Sequence, residues 1–268
     1  MTLPHPDPGT SREIRLEIEA PGTPEQLWEA IATGPGIASW FVPAEVHPEA
    51  CTISLNFGPG MEETFPITVW EPPHRVAYAE VGGRNLAYEF TIEALDGGTC
   101  VVRLVNSGFG AGADWDHEYE SMTGGWKLFL HMLSLGRTHF AGQPCSSAIV
   151  NKVAPQPADE VWATLNQSLG LPPVEVNDRI DAHGQDAPSL AGTVVRKTPG
   201  MLTILLDQPA PGVAFLLAEP WQDQTVAGVY LYLFGEQAAA TLAREEPAWR
   251  AWLARTLPTP APATTPVA

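Results

Sequence analysis

One construction occurs twice in this chain, and that limits the folds open to it more than any other feature. Ala20-Pro21 is followed after six residues by Trp28, and Ala154-Pro155 after six residues by Trp162. The two offsets agree at 134 (154 − 20 and 162 − 28). Around both matches the same order can be read: a strand, a short Pro-initiated helix, a run of alternating strands, then an apolar helix. The closing helices carry Trp126-x-x-Phe129-Leu130 and Trp249-x-x-Trp252-Leu253. These are offset by 123 (249 − 126), so the second copy is shorter between its landmarks. At 268 residues the chain can hold two units, each burying its own core. The expected organisation is a disordered N-terminus at 1–11, a first domain at 12–143, a shorter, divergent second domain at 146–257 and a disordered Pro-rich tail at 258–268. The boundary is placed near Gln143 to Ser147.

Period-two alternation dominates the interior of each copy. EIRLEIE sets Ile14, Leu16 and Ile18 on one side and charges on the other, the pattern of a half-buried strand. Pro24 in a first helical turn, with Thr23 as N-cap, opens a helix carrying Leu27, Trp28 and Ile31, and Gly34-Pro35-Gly36 is read as its end. TISLNF, TFPITVW, HRVAYAEV, LAYEFTIEAL and TCVVRLVNS follow as strands, joined by turn-rich segments that suit antiparallel hairpins. Pro66 marks its strand as an edge or a bulge. In YESMTGGWKLFLHMLSLG, Tyr119, Met122, Trp126, Phe129, Leu130 and Leu133 share one helical face, and Leu128, Met132 and Leu135 make the other side apolar. Such a helix is expected to lie across a sheet. In the second copy SAIVNKVA, VEVNDRI, GTVVRK, MLTILLD, VAFLLAE and TVAGVYLYLF read as strands, and EPAWRAWLARTL as the closing helix.

Charge removes whole classes of partner. The net charge is −17, from 7 basic and 19 acidic residues in 1–145 and 7 and 12 in 146–268. A phosphate backbone or an anionic membrane surface would be repelled, so neither nucleic acid nor membrane is an expected partner. Apolar residues make up 44% and charged residues only 17%, a composition that folds. The N-terminal segment lacks the apolar core of a signal peptide, and Cys51, Cys100 and Cys145 fit no disulfide framework or zinc spacing. A cytoplasmic protein with reduced thiols is expected, with no cofactor and no metal.

Chemistry-bearing residues are few. Asp114, Asp116, His117, Glu118 and Glu120 cluster, yet meet neither HExxH nor calcium-loop spacing. They are read as acidic residues ahead of the long helix, complementing its dipole. Arg103, out of phase with Val102 and Leu104, either anchors an acidic ligand from the cavity wall or faces solvent, and the outer face is the expectation. His131, inside the long helix, is the histidine placed to reach a cavity, against the default of a structural role. No nucleophile elbow, phosphate loop or dinucleotide fingerprint occurs, and no catalytic residue is assigned.

The AP-x6-W…WF stretch at 20–41, EPPHRVAY at 71–78 and GGWKLFL at 124–130 together resemble the SRPBCC, or START-like, superfamily. The likeness is greatest to the branch named after activators of the heat-shock protein 90 ATPase. It covers roughly residues 12–140; for 146–257 it rests on the internal repeat. The resemblance implies an α+β architecture of two helix-grip domains, each a curved antiparallel sheet wrapped around a long C-terminal helix, with an apolar cavity between. The implied function is binding of a hydrophobic or amphipathic small molecule in the N-terminal cavity, in stress response or metabolism. Phase and face then give the expected lining as Trp40, Phe65, Tyr88, Phe90, Trp126, Phe129 and Leu130. Two alternatives stay open: a polyketide aromatase/cyclase-like enzyme acting by positioning, and a co-chaperone-like interaction module with a filled core and a protein partner. The oligomeric state is not readable. Loop loss is expected to narrow any second cavity.

Overall fold

The computed structural model describes residues 11–58, 60–82, 85–184 and 186–258. The termini expected to be disordered lie outside these residues, save Ser11 and Pro258. The chain divides into two compact units, Met1–Cys145 and Ser146–Ala268.

The first unit runs β1 (Arg12–Pro21), α1 (Pro24–Ala32), α2 (Gly34–Ala38), β2 (Ala44–His47), β3 (Thr52–Asn56), β4 (Glu62–Glu71), β5 (Arg75–Ala79), β6 (Ala87–Ala94), β7 (Thr99–Phe109) and α3 (Ala113–His139). Its seven strands lie in the order β1-β7-β6-β5-β4-β3-β2, all paired antiparallel. Hairpins therefore build the sheet from one side, and β1 closes it against β7. The alternation read in β1 holds, with Ile14 and Ala20 buried and Glu13, Arg15, Glu17 and Glu19 exposed.

β1 is an edge strand, and edges expose unpaired backbone groups. Here α3 covers them. Tyr119 Oη, Ser134 Oγ and Arg137 Nε donate to the carbonyls of Glu13 (3.2 Å), Glu19 (3.0 Å) and Pro21 (3.1 Å). The long helix is thus tied along the whole length of β1 while its apolar side meets the sheet.

α1 begins as its sequence requires. Thr23 accepts from the Gln26 backbone N–H and the Gln26 side chain returns to the Thr23 N–H, a complete capping box. The reading of Gly34-Pro35-Gly36 as a stop needs correction, because it opens the short helix α2, capped by Thr33 at Gly36 N–H. The glycines are there for close approach. A Cβ on Gly36 would lie 1.9 Å from the Glu29 carbonyl oxygen, and one on Gly34 2.5 Å from that of Ala44. The short strand β2 was not expected from sequence; only four residues long, it carries too little alternation to be seen. Pro66 lies inside the sheet beside a register shift at Ile67–Val69, so the bulge reading is the one realised.

The second unit repeats the order as β8 (Cys145–Ala154), α4 (Ala158–Leu169), β9 (Arg179–Ala182), β10 (Leu190–Thr198), β11 (Met201–Gln208), β12 (Gly212–Trp221), β13 (Gln224–Phe234) and α5 (Ala238–Thr256). Its six strands lie as β8-β13-β12-β11-β10-β9, the first again closing against the last. Two expectations are corrected. VEVNDRI is strand only from Arg179, since Asn177 takes a positive φ of 77° in a turn closed by the Asp178 carboxylate on Glu175 N–H. α5 starts at Ala238 rather than at Glu246, and Pro247 sits inside it; the Ala-rich segment ahead of the proline has the helix propensity to carry it.

Candidate functional site

Between α3 and the sheet of the first unit lies a cavity of about 560 Å³. Tyr78 and Tyr88, on neighbouring strands β5 and β6, form one wall with their rings stacked at 5.2 Å, and Phe65 of β4 closes against Tyr88 at 5.9 Å. The opposite wall is the stripe Met122, Gly125, Trp126 and Phe129 of α3, spaced at i, i+3, i+4 and i+7. Phe41 fills the end, 5.0 Å from the Trp126 ring and 4.7 Å from Phe129. Gly125 adds nothing to the wall, since the nearest atom to a Cβ there would be Phe129 Cε2 at 4.0 Å, and its missing side chain keeps the space open.

Trp126 is held in place from behind. Its indole N–H donates to Asn106 Oδ1 at 3.0 Å, and Asn106 Nδ2 donates to the Ala87 carbonyl at 3.1 Å. Asn106 is fully buried on the inward side of β7, where a polar group must be satisfied. Burial, and then the neighbouring Tyr88, push the Tyr78 phenol well above its ordinary range, so its hydroxyl stays neutral.

The rim is polar and acidic. Met61 stands 52% exposed at the mouth beside Glu62 and Glu63. Glu63 pairs across the strands with Leu55 and lies two residues from Phe65, so it shares the cavity face with both; Glu62 falls in the opposite phase.

Of the seven residues expected to line the cavity, the structure brings Phe65, Tyr88, Trp126 and Phe129 to its wall. Trp40, Phe90 and Leu130 are buried without reaching it. The backbone N–H groups of Trp40 and Phe41 both turn back to the Ile37 carbonyl, and the Trp40 indole N–H then donates to Ala30 O at 2.9 Å. Trp40 is thereby anchored to α1, and its neighbour Phe41 takes the cavity position. Phe90 packs between Trp40 and Trp126, at 5.9 Å from each, as a second layer. Arg103 lies on the outer face, paired with Glu17 at 3.1 Å and with Glu93. His131 is half-buried and does not line the cavity. The acidic run expected ahead of the long helix lies within α3, where Asp116 pairs with Arg12 at 2.6 Å; the Asp114 side chain is outside what the structure describes. Among the described residues no group of three or more His, Cys, Asp or Glu is placed to hold a metal.

In the second unit the described residues that meet the closing helix are packed as core. Trp249, Trp252 and Leu253 of α5 pack with Leu216, Val229 and Leu231 in one core, and Trp252 Nε1 is bonded to Ser168 Oγ at 2.9 Å. A groove of about 740 Å³ lies elsewhere on this unit, beside Trp162, and is lined largely by exposed residues such as Asp159, Val176, Lys197 and Pro199.

A curved antiparallel sheet carrying a long C-terminal helix, with apolar space between, defines the helix-grip class. Residues 21–135 match the family model described as "Activator of Hsp90 ATPase homolog 1-like protein". Among solved structures, the di-domain ARO/CYC BexL from the BE-7585A biosynthetic pathway matches at 12% identity with a TM-score of 0.45, over 93% of this chain and 100% of that one. The Aha1 dimer from Colwellia psychrerythraea matches at 20% identity and a TM-score of 0.40, over 49% of this chain and 99% of that one. Protein MLL2253 from Mesorhizobium loti matches at 20% identity and a TM-score of 0.41, over 46% and 95%. No curated protein matches the chain. Among the described residues, no helix is long and apolar enough to cross a membrane.

Proposed function

We propose that the first unit binds a hydrophobic or amphipathic small molecule in the cavity between α3 and the sheet, and that the second unit is a packed companion without such a site. The observation that carries this reading is a cavity of about 560 Å³ walled by aromatic rings from α3 and three strands. Ligand sites are typically about 300–1,000 Å³ and mostly apolar, with few polar groups to fix orientation. Here those groups are the tyrosine hydroxyls and the acidic rim. Native mass spectrometry of the purified full chain is expected to show one co-purifying small molecule or, after its removal, uptake of one equivalent of an apolar dye. A native chain that retains nothing and takes up no dye would leave a protein-interaction module in place of a binder.

A further inference from the structure

The cavity is aromatic on its walls and acidic at its mouth, and that combination has a sign. Among the described residues its lining includes no Lys, Arg or His, while it includes Glu63 on the cavity face and Glu62 beside it. No described cation pairs with Glu63, whereas other strand glutamates are matched, Glu89 with Arg75 and Glu93 with Arg103. Tyr, Trp and Phe rings attract a cation held over them, and Phe65, Tyr78, Tyr88 and Trp126 all border the cavity. A carboxylate or phosphate on a ligand would meet the opposite: ring faces of negative potential, two glutamates, and a chain of net charge −17.

We infer that the ligand is an aromatic or otherwise apolar molecule bearing a basic, positively charged nitrogen, with its body in the cavity against the Phe65, Tyr88 and Trp126 rings and its cation at Glu63. This rests on the reading of the cavity as a ligand site and gives that ligand a charge. Fatty acids and other anionic amphiphiles are then poor occupants.

Diphenylhexatriene in three charge states separates these ideas: the neutral parent, its trimethylammonium derivative and its propionate. Fluorescence titration of the full chain is expected to rank the cation tightest and the propionate weakest, by roughly tenfold between the extremes. Glu63→Gln is expected to remove most of that spread while leaving the neutral probe unchanged. Glu71→Gln changes the net charge equally but from the exposed far end of β4, outside the cavity lining, and is expected to keep the spread. Equal binding of all three probes, a preference for the propionate, or an equal loss in both variants would overturn the inference and leave the cavity a neutral binder. Failure of even the neutral probe to bind would overturn the ligand-site reading itself.

Discussion

The two units answer the same architectural problem differently, at the same place. Each lays a long C-terminal helix against an antiparallel sheet, and each puts a tryptophan on that helix, Trp126 in the first and Trp249 in the second. In the first unit, the stripe carries Gly125 and Met122 four and seven residues before Phe129, and space is left beside them. In the second, Trp249 (0% exposed) and Trp252 (2%) meet at 5.4 Å edge to face and the corresponding interior is core. A repeated fold therefore does not repeat its interior packing. What decides is how much side-chain volume the helix stripe carries against the sheet.

Breaking each tryptophan measures that difference. Trp249→Ala removes a fully enclosed side chain, and urea unfolding is expected to show a loss of about 3–5 kcal/mol. Trp126→Ala is expected to fall at the lower end of the same range, because its ring already borders open space. If the two losses were reversed in order, the assignment of filled and open units would be wrong.

A smaller effect tests the support behind the cavity wall. Asn106→Ala leaves the buried Trp126 N–H without its acceptor and is expected to destabilise by about 1–3 kcal/mol. Apolar-dye binding should weaken in step, as the ring loses its fixed orientation. Unchanged dye binding would mean that Trp126 is held by packing and not by Asn106.

The smallest effect concerns the layer behind the wall. Trp40→Phe keeps most of the packing but drops the bond to Ala30 O, for an expected cost of about 1 kcal/mol. Dye affinity should not change, since Trp40 does not line the cavity. A large loss of binding would restore Trp40 to the lining.

The sequence was most legible where periodicity is long and one-sided. β1, β6 and β7 and the α3 stripe could be read because each alternates or recurs over eight or more residues. Short or locally overridden elements could not: β2 is too brief, and Gly34-Pro35-Gly36 resembles a stop although its glycines serve packing. For the site, phase placed Phe65, Tyr88, Trp126 and Phe129 correctly on inward faces. Phase says which side of an element is buried, not whether the space beyond is empty, and so Phe90 and Leu130 were included with them. Trp40 and Phe41 were exchanged because a turn, not a strand, sets their directions. Asn106 carried a signal that went unused: a polar residue in the inward phase of TCVVRLVNS, where only a bonded group is tolerated.

The central claim is that one unit is open and the other filled, and the stoichiometry of apolar-dye uptake tests it most directly. Gly125→Leu places a side chain into the cavity from α3 while replacing a helical glycine with a better helix former. Titration of neutral diphenylhexatriene is predicted to give one site per wild-type chain and none in the folded Gly125→Leu variant. Two sites per chain, or one site that survives Gly125→Leu, would contradict the account.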